Sequence, residues 1–144
     1  MKKFVAIVLC LFLLTGCTAP TAFYIRNTLP QPVKLVLVLQ DTATKREELS
    51  YREALAEPRF NDYQKMTKKL SGTANGDSVS YVLPPSSTVC LGLGQAGALD
   101  GLQSVSYFSP QQRQLPLTSV KAYETYFQHK SALMGAYVFW LDIE

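Results

Sequence analysis

Groups that usually carry catalysis are scarce in this sequence. Among 144 residues there is one histidine, His129, which a serine-histidine-aspartate triad or a histidine-based metal site would have to use. The surrounding residues, 128–131, instead predict an exposed turn. The pattern Ser-x-x-Lys does not occur, and the carboxylates are scattered. The sequence therefore predicts a protein that is not an enzyme, without catalytic residues, metal ligands or a bound cofactor.

Long apolar runs are also rare, and the longest lies at the start of the chain. Residues 4–14 form eleven consecutive apolar positions behind Lys2 and Lys3. A helix of that length spans only about half of a bilayer core, so the run predicts a signal peptide rather than a membrane span.

The end of this run, Leu14-Thr15-Gly16-Cys17, resembles the lipobox of bacterial lipoprotein signal peptides. The resemblance implies cleavage before Cys17, with diacylglycerol on its sulfur and an acyl chain on the new amino terminus. Such chains anchor a protein firmly in a lipid surface. Thr18, in place of aspartate, implies sorting to the outer membrane, facing the periplasm. We therefore expect a signal peptide at 1–16, an acylated tether at 17–22 and one domain at 23–144.

Cysteine and net charge are low in the remainder of the chain. Of three cysteines, Cys10 falls in the signal peptide and Cys17 in the lipobox, so the domain has one, Cys90, and a disulfide inside the domain is not expected. Cys90 lies within a predicted strand, so we expect a small buried side chain. Without Lys2 and Lys3, the 14 basic residues become 12, against 11 acidic ones. A nearly neutral chain without a basic run is not expected to bind nucleic acid.

Alternating apolar residues, separated by proline and glycine turns, predict a mainly β protein. In residues 33–40 the side chains at 33, 35, 37 and 39 share one face, and residues 78–83 and 88–93 alternate in the same way. The last segment, 135–143, is apolar on both faces and is expected to be central. Further strands are predicted at residues 23–26, 102–108 and 119–128. We expect a β-sandwich.

A helical insertion is predicted at about 44–71. Residues 45–57 are rich in helix formers, and Glu48 and Arg52 stand at a favourable spacing of four. Phe60, Tyr63, Met66 and Leu70 recur at helical spacing. Two short helices are therefore expected between strands.

The segment 92–97 matches G-x-G-x-x-G, the pattern of dinucleotide-binding loops. That use requires a helix that opens at the third glycine, and Gly101 follows too soon to allow one. We expect a flexible glycine-rich turn.

The order of features resembles TssJ, the outer-membrane lipoprotein family of type VI secretion systems. The likeness rests on the lipobox, Asn27, the strand PVKLVLVLQ (32–40), the stretch predicted to be helical, and YVLPP (81–85). It implies a transthyretin-like or immunoglobulin-like sandwich, tethering an envelope-spanning secretion complex. It also implies that the first loop docks the periplasmic domain of an inner-membrane partner, TssM. The candidate docking residues are Asn27, Thr28, Leu29, Pro30 and Gln31.

Two other functions remain open. One is a pilotin, an assembly chaperone for a secretin, which would need an apolar cleft near Tyr63, Met66 and Leu70. The other is a ligand-binding or inhibitor lipoprotein that uses a protruding loop at residues 92–101.

Overall fold

The protein is a β-sandwich with a small helical part. The computed structural model describes residues 18–40 and 48–144, which form two sheets around one apolar core. The strands are β1 (Pro20–Asn27), β2 (Val33–Leu39), β3 (Glu48–Arg52), β4 (Lys68–Ser71), β5 (Thr73–Asn75), β6 (Ser78–Leu83), β7 (Ser87–Gln95), β8 (Leu102–Ser109), β9 (Gln111–Pro116), β10 (Gln128–Ser131) and β11 (Tyr137–Ile143). The helical elements are α1 (Val120–Tyr126) and two 3-10 turns, Phe60–Lys65 and Leu133–Gly135. The predicted fold class is confirmed.

The two sheets differ in size and pairing. The six-stranded sheet has the order β10-β11-β1-β7-β3-β4, and the five-stranded sheet has the order β5-β6-β2-β8-β9. β1 pairs in parallel with β11, whereas the other pairs are antiparallel. β1 therefore lies in the interior of its sheet, between β11 and β7.

The core faces of β2 and β6 are the predicted ones. The alternate residues Val33, Leu35, Leu37 and Leu39 are at most 5% exposed, and Val79, Tyr81 and Leu83 of β6 join the same core. A period of two places such residues on one face of a strand, and burial of that face stabilises the sandwich.

In β7 the predicted alternation fails at its last member. Val89 and Leu91 are buried as expected, but Leu93 is 46% exposed. The register between β7 and β1 shifts there. Phe23 pairs with Gly92 and the next residue, Tyr24, pairs with Cys90, so β7 has one residue more than β1 at this point. The extra residue is a β-bulge, which reverses the faces beyond it.

The helical insertion predicted at about 44–71 is wrong in the part that the structure describes. Residues 48–52 and 68–71 are strands β3 and β4, and only Phe60–Lys65 is helical, as a 3-10 turn. β3 pairs with β7 and places Leu49 in the core. The backbone groups of β7 need partners, and this requirement outweighs the local helix preference. Residues 44–47 lie outside the described residues.

A second correction concerns the strand predicted at residues 119–128, which is mostly helix α1. The Ser119 side chain caps this helix by accepting a hydrogen bond from the Ala122 backbone N–H. Tyr123 and Phe127, four residues apart, both pack against Phe23. The spacing of four that directs these two rings inward is helical rather than alternating. His129 lies in β10 rather than in a turn, and it is exposed as expected.

The outward face of the six-stranded sheet carries its own apolar layer. We call it the outer cluster: Ala22, Tyr24, Met66, Cys90, Val138 and Trp140. Phe60 and Tyr63 of the first 3-10 turn pack against it. β11 lies between β10 and β1, so the predicted central position of the last strand is confirmed, as is the burial of Cys90.

The domain begins earlier than the predicted boundary at residue 23. β1 starts at Pro20, and both Thr21 and Ala22 are fully buried. Ahead of the strand, the Ala19 carbonyl accepts a hydrogen bond from the Ala96 backbone N–H at 3.0 Å. The expected tether at 17–22 is therefore wrong for residues 18–22, which are bound to the domain. Cys17 lies outside the described residues.

Candidate functional site

The two ends of β1 define two ends of the sandwich. At its first residues, Pro20 pairs with Gln95 and Thr21 with Tyr137, so the chain start lies beside the turns 95–98 and 132–136. We call this the chain-start end. At its last residue, Asn27 pairs with Ser87, beside residues 28–32 and 84–86. We call this the loop end. Eight strand residues separate the two ends by about 23 Å.

Asn27 holds the candidate docking loop in one conformation. It is fully buried, and its side-chain amide donates to the carbonyls of Gln31 and Pro84, each at 2.9 Å. Its Oδ1 accepts from the Leu29 backbone N–H at 3.1 Å. Asn27 is thus an internal support of the loop, and its buried side chain presents no surface to a partner.

The next two residues are also fixed to the domain. The Thr28 side chain donates to the Ile143 carbonyl at 2.7 Å. Leu29 packs against the main core, and its carbonyl accepts from the Ser86 backbone N–H at 3.2 Å. Pro30 and Gln31 are exposed. Of the five candidate residues, these two present the most surface, on a loop that is tied down on both sides.

Sequence reasoning missed an exposed row on the five-stranded sheet beside this loop. Lys34 pairs with Val82, which is 61% exposed. The Lys34 ammonium lies 5.6 Å from the centre of the Phe108 ring, and Phe108 is 40% exposed. Two exposed apolar side chains around a lysine extend the surface of the loop end. The outward positions of the alternating pattern were the available signal.

An apolar groove lies on the other sheet. It has a volume of about 790 Å³ and runs between the first 3-10 turn and the β10–β11 connection. Its lining includes Phe60, Leu133, Met134 and Val138, with Pro20 at its border. The pilotin alternative predicts a cleft near Tyr63, Met66 and Leu70, and the groove borders the 3-10 turn that contains Tyr63. Met66 is buried, and Leu70 packs against the main core, so the cleft is not at those residues.

Charged side chains surround this groove and the outer cluster. Lys130 donates a hydrogen bond to Glu57, which holds the pKa of Glu57 below its ordinary value. The Lys130 ammonium also lies 5.7 Å from the centre of the Trp140 ring. Asp62 accepts from Arg52 and from the Arg59 backbone N–H, each at 2.9 Å. The Asp62 carboxylate is therefore committed to holding the 3-10 turn.

The glycine-rich segment 92–101 begins with the end of β7 and then forms a tight turn at residues 95–98. Gln95 and Ala98 exchange two backbone hydrogen bonds, and Ala96 and Gly97 have φ values of 53° and 78°, as a type I′ hairpin turn requires. The Gly97 backbone N–H donates to the Thr21 hydroxyl at 3.2 Å. The turn is hydrogen-bonded to β1, and a helix does not open at Gly97, so the predicted glycine-rich turn is confirmed.

The described residues contain no helix long and apolar enough to cross a membrane. Within residues 18–40 and 48–144, no group of three or more histidine, cysteine or acidic side chains is placed to hold a metal ion. His129 stacks on Phe139, with ring centres 5.1 Å apart.

Comparison with known proteins returned no relative. No protein-family model, no curated protein and no solved structure matches this chain.

Proposed function

We propose that this chain is a lipoprotein anchored through Cys17 in the outer membrane, facing the periplasm. Its role is non-catalytic. It tethers an envelope-spanning secretion complex, as the resemblance to TssJ implies. In this proposal the loop end docks the periplasmic domain of an inner-membrane protein, the role that TssM has in that family.

The observation that carries the proposal is the placement of the two ends. The described chain starts one residue after Cys17, and Thr18 and Ala19 are already bound to the turn 95–98. Residues 28–32 lie at the opposite end of β1. A lipid on Cys17 would therefore hold the chain-start end at the membrane and direct the loop end into the periplasm.

The rigidity of the loop supports docking as its role. Asn27, Thr28 and Leu29 fix the loop from inside, so a partner would meet Pro30 and Gln31 in a set conformation. A preorganised loop loses little conformational entropy on binding, which favours affinity.

The anchor is tested first, by mass spectrometry of the protein extracted from bacterial envelopes. We expect a chain that begins at Cys17 and carries diacylglycerol and one acyl chain. The Cys17→Ser variant should keep residues 1–16 and carry no lipid. An unmodified Cys17 in the wild-type protein would contradict the anchor.

Docking is tested by a photo-reactive amino acid placed at Gln31 in cells. The matched control is Gln103, an exposed glutamine near the chain-start end. We expect a cross-link from position 31, and not from 103, to an inner-membrane protein with a periplasmic domain. Equal cross-links from both positions, or none from position 31 while the protein is anchored, would contradict docking at the loop end.

A second candidate function is the pilotin, favoured by the groove of about 790 Å³. In that case an apolar segment of a secretin would occupy the groove. A dye that fluoresces in apolar surroundings should then bind the protein, and Leu133→Asp, at an exposed position of the groove lining, should weaken the signal. Val82→Asp, on the other sheet, is the control. Unchanged dye fluorescence in both variants would count against this candidate.

A further inference from the structure

Exposed apolar side chains collect at the chain-start end. Eight large apolar residues are exposed in the part of the chain that the structure describes, and five of them lie near the start of β1 or the turns beside it. These five are Leu93, Val120, Leu133, Met134 and Tyr137. Apolar surface concentrated in one region indicates a site of contact with another apolar phase.

The two most exposed of these residues form the tip of the β10–β11 hairpin. Leu133 is 93% exposed and Met134 is 100% exposed. The tip is closed by a hydrogen bond of 2.7 Å from the Ala132 backbone N–H to the Ala136 carbonyl. Met134 and Gly135 both have positive φ values, 64° and 76°, and the left-handed conformation is costly for methionine. The connection thus keeps a strained backbone while exposing both side chains.

The hairpin tip is close to the start of the described chain. Tyr137, just after the tip, pairs with Thr21, and Pro20 borders the groove that Leu133 and Met134 line. Three residue steps, about 11 Å at full extension, separate Cys17 from Pro20. Any lipid on Cys17 would therefore be inserted beside this tip.

The charges around the tip suit a lipid surface. Arg59 and Lys65 are exposed at the rim of the groove, whereas Lys130, on the strand that leads to the tip, is paired with Glu57. Among the groove-lining residues the one acid is Asp62, which is bound to Arg52. Apolar side chains flanked by cations are the pattern of segments that enter the headgroup region of a bilayer with anionic lipids.

We propose that Leu133 and Met134 insert into the bilayer beside Cys17, as a second membrane contact of the domain. This rests on the lipid-anchor part of the proposed function. A single point of attachment at Cys17 would let the domain rotate about it. The second contact fixes the tilt of the sandwich and holds the loop end away from the membrane.

The test measures the depth of the tip in vesicles. The full-length chain, processed in a bacterial host, is reconstituted in vesicles of phosphatidylethanolamine and phosphatidylglycerol. A fluorescent thiol label is placed at Met134→Cys, and in a matched variant at Gln111→Cys, an exposed position where β9 begins, at the loop end. The chain without an added cysteine gives the background from Cys90. Quenching by nitroxide-labelled lipid and by aqueous iodide is then compared.

We expect several-fold stronger quenching by the lipid nitroxide at position 134 than at position 111, and the reverse order for iodide. Equal access of iodide to both labels in vesicle-bound protein would overturn the proposal. Mass spectrometry of the same sample reports separately whether Cys17 carries lipid. If it carries none, the anchor has failed on its own measurement. Lipid quenching confined to position 134 would then still support the inserted tip, and its absence would overturn it.

Discussion

At the residue scale, a single polar side chain can hold a whole turn against a sheet. Tyr24 is the clearest case. Its hydroxyl lies 3.0 Å from the Arg59 carbonyl, to which it donates, and accepts from the Tyr63 backbone N–H at 3.1 Å. The ring is fully buried in the outer cluster. One hydroxyl thus secures the 3-10 turn that covers the six-stranded sheet.

Replacement of Tyr24 by phenylalanine should destabilise the fold by about 1–3 kcal/mol, because buried backbone groups of the turn lose their partner. Urea unfolding at neutral pH measures this change. Tyr126→Phe, at an exposed position on α1, should change the free energy of unfolding by less than about 0.5 kcal/mol. Equal effects of the two substitutions would contradict the role of the Tyr24 hydroxyl.

The same side chain predicts a pH dependence. Burial raises the pKa of Tyr24 above its ordinary value. The Tyr24 hydroxyl contributes its full stabilisation of the fold below about pH 10, where the tyrosine of the unfolded chain keeps its proton. As the pH rises above that value, Tyr24 loses its proton in the unfolded chain before it does so in the folded protein. The free energy of unfolding therefore falls until the pH reaches the pKa of Tyr24 in the folded state. The stability difference between the wild type and Tyr24→Phe should therefore narrow above about pH 10. A constant difference from about pH 7 to about pH 11 would contradict this.

At the element scale, the turn 95–98, which follows β7, is hydrogen-bonded to the start of β1. The turn depends on Gly94, where an added Cβ would lie 1.9 Å from the Ala98 carbonyl oxygen. That contact is with backbone, so a side-chain rotation cannot relieve it. The strand and the turn would have to separate.

Gly94→Ala should therefore cost at least about 2 kcal/mol of stability. Gly76→Ala is the control, because its Cβ would meet nothing within 4 Å and only the φ of 62° is unfavourable; we expect about 1 kcal/mol there. Thermal unfolding followed by circular dichroism measures both. A Gly94→Ala protein as stable as the Gly76→Ala protein would contradict this account.

The elements also show where sequence patterns succeed. β2 and β6 alternate without interruption and pair with each other, so their faces follow from the pattern. In β7 the same pattern misplaces Leu93, because the bulge opposite Phe23 and Tyr24 is a property of the pair of strands. The helix predicted over β3 fails for a similar reason, since pairing with β7 outweighs local preference.

At the scale of the whole molecule, β1 belongs to both apolar clusters. Phe23 and Ile25 lie in the main core, whereas Ala22 and Tyr24 lie in the outer cluster. Because both faces of β1 are buried, separating the strand from one cluster would also expose its residues in the other cluster. The two clusters are therefore expected to unfold together.

The single tryptophan, Trp140, lies in the outer cluster and makes this testable. Its fluorescence and the far-ultraviolet circular dichroism of the sheets should change at the same urea concentration, as two-state unfolding requires. A tryptophan transition at lower urea concentration would show that the outer cluster unfolds separately.

The candidate docking loop shows how far sequence could go toward the site. Asn27 and the prolines at 30 and 32 mark a turn from local chemistry alone. The further bond from Asn27 to the Pro84 carbonyl follows only from the approach of a segment 57 residues away along the chain. The row of Val82, Lys34 and Phe108 likewise exists only because three strands are adjacent.

The sequence by itself determined the β class, the core faces of β2 and β6, and the resemblance of residues 14–17 to a lipobox, because each depends on neighbours along the chain. Tertiary structure alone decided the strand at 48–52, the bulge in β7 and the separation of the chain start from residues 28–32. Those outcomes depend on which backbone groups and apolar faces meet across the fold. Pairing partners of that kind are set by the whole chain and leave no local pattern.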